Sequence, residues 1–138
     1  MTAFLYFKKS VFLFSAIVAF FIIVVRAEAV SLSFLSQPAS IQLNDLVTVR
    51  LTLSAEKPAN AVAATIVYPP ESLELISMSR TGSVVDFWVQ EPRSTPGSIL
   101  FEGIMNNSFV GTQGKVIEMT FRGKRGGSVA LALRDAEV

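Results

Sequence analysis

From Val30 onward this 138-residue chain predicts an all-β protein: a jelly-roll β-sandwich of about eight or nine strands, preceded by an N-terminal hydrophobic signal or anchor helix. Three observations carry that expectation. Short segments with an apolar residue at every second position recur along the chain, separated by Pro, Gly, Asn and Asp turn signals. No segment after residue 29 shows the 3.6-residue apolar period of a helix. The segment from Asn60 to Leu75 reads as the middle of a sheet. Val62, Ala64, Ile66 and Tyr68 alternate with Ala61, Ala63, Thr65 and Val67, so both faces of one strand are largely apolar. Pro69-Pro70 has no backbone N–H to give, so this strand must stop there, and Leu73 and Leu75 open the next.

The first 29 residues are set apart as a signal peptide or membrane anchor, with the sandwich domain spanning 30–138. Lys8 and Lys9 precede Val11–Val25, which is apolar apart from Ser15. Ala27-Glu28-Ala29 places small residues where signal peptidase accepts them, so cleavage is expected after Ala29. At about 1.5 Å per residue the apolar run spans roughly 22 Å, short of a hydrocarbon core of about 30 Å. The alternative is an uncleaved anchor, lengthened by Phe4–Phe7 in a locally thinned bilayer. In both cases residues from Val30 are expected outside, secreted or at the cell surface, with the membrane touched through the N-terminal segment alone.

Taken in order, Val30, Leu32 and Phe34 alternate with serines in a first half-buried strand, and Gln37–Ser40 is a turn. Ile41 and Leu43 lead to the Asn44-Asp45 turn. Val47, Val49, Leu51 and Leu53 then give a clear amphipathic strand. Glu56-Lys57-Pro58 predicts a hairpin-like loop into the central strand. Further strands are expected over Leu73–Met78, Val84–Gln90, Ser98–Ile104, Lys115–Arg122 and Ser128–Leu133. Loops are expected at Glu91–Gly97, at Asn106 to Gly114 and at Gly123–Gly127.

Composition removes much chemistry. The chain has no Cys and no His, which excludes disulfides, thiol nucleophiles, Ser-His-Asp triads and ordinary zinc sites. After Ala29 the charges nearly balance, so nucleic acid is not an expected partner. No Asp-x-Asp-x-Asp-Gly calcium loop is present, and no cofactor or metal is expected. Glu91 and Glu102 are the residues to weigh as a glycosidase pair. Nothing places them together, and Glu102 alternates with Phe101 as a solvated strand-face residue does. No catalytic residue is assigned and the chain is not expected to be an enzyme.

Three blocks in series resemble the cohesin domain, a jelly-roll β-sandwich related to certain carbohydrate-binding modules. They are the Asn60–Leu75 segment, Gly97-Ser-Ile-Leu-Phe101-Glu-Gly103, and Gly114-Lys-Val-Ile-Glu-Met-Thr-Phe121. Asn44-Asp45-Leu-Val-Thr-Val-Arg-Leu is similar to the family's second strand, usually opened by Gly-Asp. The resemblance implies a non-catalytic extracellular module that binds dockerins, small calcium-loop modules, and so holds polysaccharide-degrading enzymes on a scaffold. It also implies a partner-binding face on the central strand at Ala61, Ala63 and Thr65. At the first two positions dockerin binders tend to carry Asn and Asp. The family continues beyond Val138 through an Asn-Asp-Gly-like turn into a last strand, so the resemblance implies an unpaired edge near Val30–Leu35.

Trp88, the single tryptophan, supports a second reading as a carbohydrate-binding module. Strict alternation places Asp86, Trp88 and Gln90 on one face, an aromatic platform flanked by a carboxylate and an amide, with polysaccharide as the ligand. The competing reading has the Glu91–Gly97 loop fold over Trp88 and make it core. Asn106-Asn107-Ser108 is a formal glycosylation sequon, and Arg122, Lys124 and Arg125 form a basic turn read as a solvated loop.

Overall fold

The computed structural model describes residues 30–138; the segment expected to be a signal or anchor, with Ala27 and Ala29 expected at its cleavage site, lies outside the described residues. Eight strands and no helix make up the described residues: β1 (Val30–Leu35), β2 (Ser40–Ile41), β3 (Leu46–Val67), β4 (Leu73–Ser79), β5 (Phe87–Thr95), β6 (Ser98–Gly123), β7 (Gly127–Ser128) and β8 (Ala132–Glu137). All main ladders are antiparallel.

The two long strands organise the sandwich because each contributes to both layers. The first half of β3 pairs β1 and the second half pairs β8. The first half of β6 pairs β5 and its last residues pair β4. One layer is therefore β1-β3-β6-β4 and the other β8-β3-β6-β5, with β3 and β6 bending from one into the other. Register shifts between Leu51 and Ala61 mark the bend on β3, where an added residue increases twist and curvature.

Alternation decides what lies between the layers. Val49, Leu51 and Leu53 on the first half of β3 and Val62, Ala64 and Ile66 on the second are buried. They meet Ile99, Phe101, Ile117, Met119 and Phe121 of β6. Tyr68 follows the end of β3 and tilts against Phe121 at 5.1 Å between ring centroids. Its hydroxyl donates to the carbonyl of Thr95, so a buried phenol has its partner. Two glycines allow close backbone approach. A Cβ on Gly103 would stand 2.4 Å from Val85 Cγ1, and one on Gly123 would stand 2.1 Å from the Gln42 carbonyl oxygen.

Several expected loops are corrected. Glu56-Lys57-Pro58 does not break the chain into a hairpin, because β3 runs straight through it. Pro58 falls in the register shift between Ala55 and Ala59, where no ladder bond needs its missing N–H. The expected loop from Asn106 to Gly114 is likewise part of β6, deformed by left-handed residues at Ser108, Gly111 and Gln113. The expected Glu91–Gly97 loop is mostly strand: β5 reaches Thr95, with Pro92 inside the shift between Gln90 and Arg93 on an edge. The expected strand Ser128–Leu133 is two pieces, β7 and β8.

On the outward face of the β1-β3-β6-β4 layer the charges are matched across strands, with Leu46 exposed beside Arg122 at its end. Arg50 Nε donates to Glu118 Oε2 at 2.6 Å, Thr48 and Thr120 share a hydroxyl contact of 3.3 Å, and Arg122 lies 3.9 Å from Glu74. The hydrogen bond from Arg50 is the main reason the Glu118 carboxyl sits below its ordinary range; burial opposes it slightly. A depressed carboxyl pKa stabilises the fold above the ordinary Glu value, and that contribution fades as pH falls through the lowered value. Urea denaturation at pH 7 and pH 3 should therefore show a Glu118→Gln loss at pH 7 alone. It should stay below about 1 kcal/mol because the pair is solvent-screened.

Candidate functional site

The outward face of the β8-β3-β6-β5 layer has a different character. Ladder partners share a face, so the pairings map it row by row. Ala61, Ile104 and Phe87 form one row across β3, β6 and β5. Ala63, Glu102 and Gln90 form the next, with Glu137 of β8 beyond Ala63. Thr65, Leu100 and Arg93 form the third, with Arg134 beyond Thr65. Phe87 is 59% exposed, Leu100 48% and Ile104 37%. Large apolar side chains this open, on neighbouring strands of one face, are what a contact surface presents.

The residues expected from the sequence to form the partner face, Ala61, Ala63 and Thr65, run along its middle. Their small side chains leave β3 low between the larger residues of β6 and the charged ends of β8. A shallow depression of about 240 Å³ results, lined by Ala63, Thr65, Gln90, Leu100, Glu102 and Asp135. Charges on this face are unspent: Glu102, Arg93 and Arg134 make no ion pair with any described residue, in contrast to Arg50 and Glu118 on the other layer. A carboxylate between Leu100 and Ile104 with no partner of its own is available to a cation brought by another molecule.

Asp86, Trp88 and Gln90 are not brought together. Trp88 pairs with the buried Gly103 and is half-buried, its ring edge-on to Phe101 at 6.0 Å between centroids. A register shift follows Trp88, so Gln90 pairs with Glu102 and turns to the outward face. The carboxylate of Asp86 accepts the backbone N–H of Asn106 at 2.8 Å. The expected alternation of Trp88 with Gln90 fails at that shift, and Phe87, the first residue of β5, is exposed. Trp88→Ala should consequently lower stability by about 3 kcal/mol in thermal or urea unfolding, as the loss of an aromatic core side chain does.

Glu91 is engaged by Arg80 at 3.1 Å, while Glu102 stands on the open face. Among the described residues no group of three His, Cys, Asp or Glu side chains is gathered as a metal site would require. No helix among them is long and apolar enough to cross a membrane. In the basic turn, Lys124 donates to the Pro70 carbonyl and Arg125 to Ser72 Oγ, so two of its cations brace the turn between β3 and β4. The exposed apolar residues of β5 and β6 escaped the sequence reading. Leu100 and Ile104 flank Glu102 with period 2 and were the available signal.

No family model and no curated protein matches the chain. Solved structures do. CaCohA2 from Clostridium acetobutylicum superposes with a TM-score of 0.60 at 21% identity, covering 80% of this chain and 77% of that one. A non-cellulosomal cohesin from the archaeon Archaeoglobus fulgidus gives 0.59 at 18%, covering 70% and 68%. The sixth cohesin of scaffoldin B from Acetivibrio cellulolyticus, in complex with a dockerin, gives 0.60 at 15%, covering 77% and 82%. The chain has the fold of cohesin modules.

Proposed function

We propose that this chain is a non-catalytic, exported binding module that docks a dockerin-like protein on the outward face of its β8-β3-β6-β5 layer. The observation that carries the reading is the contrast between the two outward faces. One has its charges paired across strands; the other leaves Phe87, Leu100, Ile104 and Glu102 open around the low strip of Ala61 and Ala63. Apolar anchors around an unpaired charge form the pattern of a protein interface, in which the central side chains carry most of the affinity. Cohesin structures with this fold include complexes with dockerins, which supports a dockerin-like occupant. With Ala61 and Ala63 in the middle, the face offers van der Waals contact there rather than side-chain hydrogen bonds.

A panel of calcium-loaded dockerin modules and soluble polysaccharides, tested against the immobilised chain, checks the reading. Saturable capture of a dockerin with no retained polysaccharide is expected; the reverse result would move the function to sugar binding. Export is part of the same proposal and rests on Lys8, Lys9, the apolar run and Ala27-Glu28-Ala29. Sequencing of protein recovered from an exporting host should find Val30 at its N-terminus. An intact Met1 terminus in the membrane fraction would make the module surface-tethered.

A further inference from the structure

Three rows of different character cross the strip of Ala61, Ala63 and Thr65. The row through Ala61 is apolar, with Ile104 and Phe87 exposed on it. The row through Ala63 is acidic, with Glu102 on β6 and Glu137 at the β8 end. The row through Thr65 is basic, with Arg93 at the β5 end and Arg134 at the β8 end. Outward residues of one strand repeat every about 6.8 Å, so each row lies one such step from the next.

A local irregularity puts Arg93 there. Regular alternation from Gln90, which pairs with Glu102, would turn Arg93 to the inner side of β5. The extra residue between Gln90 and Arg93 instead sets Arg93 beside Leu100, on the outward face. Bulges of this kind re-aim a side chain, and here the result is an exposed cation one row away from an exposed carboxylate. The two do not close on each other as Arg50 and Glu118 do on the other layer. Among the described residues Glu102, Arg93 and Arg134 make no ion pair. Both signs are therefore held apart, in a fixed order along β3, on a face that is otherwise apolar.

We infer that this order, apolar then acidic then basic, selects the partner and fixes the direction in which it docks; the inference rests on the docking face proposed above. The protein that fits presents an apolar anchor over Phe87 and Ile104, a cation over Glu102 and a carboxylate over Arg93 or Arg134. Turned end for end, the same partner would set its cation on the arginines and lose its anchor. Like charges brought together in this way reject wrong partners and wrong orientations more than they strengthen the right one. Glu102 and Arg93 are the residues that determine specificity.

The full chain, immobilised in mild detergent, and a calcium-loaded dockerin that it captures from the panel provide the test. Glu102→Arg combined with Arg93→Glu reverses the order while leaving the net charge unchanged, so long-range attraction is preserved. Capture should weaken by about a hundredfold, whereas Arg50→Glu with Glu118→Arg on the other layer should leave it unchanged. Glu102→Gln, a gentler change should the exchange disturb the fold, should weaken capture by about tenfold. Changing one exposed Lys or Arg of that dockerin to Glu should restore capture by the Glu102→Arg chain by at least about tenfold. Phe87→Ala, a neutral change on the same face, separates the two possible failures. Loss with Phe87→Ala but undiminished capture by the charge-exchanged and Glu102→Gln chains would overturn the charge order and leave the docking face standing. No captured dockerin, or no loss from any change on this face, would overturn both. Self-association of the chain that Leu100→Asp abolishes would make the occupant a second copy, and that also overturns the inference.

Discussion

Ile66→Ala should destabilise the domain by about 2–5 kcal/mol in equilibrium unfolding, while Thr65→Ala costs less than about 1 kcal/mol. The two residues are neighbours on β3 and face opposite ways. Ile66 is fully buried between Ile99 on β6 and Leu133 on β8. Removing three carbons there leaves a cavity that strands held on both sides cannot close. Thr65 stands half-exposed between Leu100 and Arg134, where a lost hydroxyl and methyl are replaced by water. Large and equal losses at both positions would mean that the outward face is covered and that no docking surface exists at Thr65.

Leu100→Asp combined with Ile104→Asp should weaken capture of a bound dockerin by at least about a hundredfold, with little change in melting temperature. Each substitution puts a carboxylate beside Glu102, so the partner would desolvate clustered like charges where it now meets two apolar side chains. Both positions are exposed, so the unbound fold loses little by the change. Arg50→Asp on the opposite layer should leave binding unchanged, though it breaks the pair with Glu118. Equal loss from Arg50→Asp and from the Leu100 and Ile104 pair would place the contact elsewhere.

Much of this architecture is legible in the residues. The doubly apolar run from Ala61 to Val67 is the strand with a neighbour on each side, and Pro69-Pro70 ends it as the missing N–H groups require. The amphipathic Val47–Leu53 segment buries the expected side chains. What escapes is where strands bend rather than end. Pro58 and the Asn106 to Gly114 segment carry loop-type residues, yet each sits where the ladder is shifted and a missing or misdirected backbone group goes unpunished. Side-chain alternation cannot foresee such shifts, and one extra residue after Trp88 separates it from Gln90. The low strip of the candidate face at Ala61, Ala63 and Thr65 was readable because it alternates with the core set on one strand. Its flanks were not, because Phe87, Leu100 and Glu102 come next to it only through pairing between strands distant in sequence.

A protein partner is expected to dock on the face made by β8, β3, β6 and β5. Backbone amide shifts of the isotopically labelled chain, titrated with a calcium-loaded dockerin that it captures, test this most directly. Perturbations should concentrate at Ala61, Ala63, Thr65, Phe87, Leu100, Glu102 and Ile104, with Thr48, Arg50, Glu118 and Thr120 unmoved. Perturbations centred on those last four residues, with the first group silent, would contradict it.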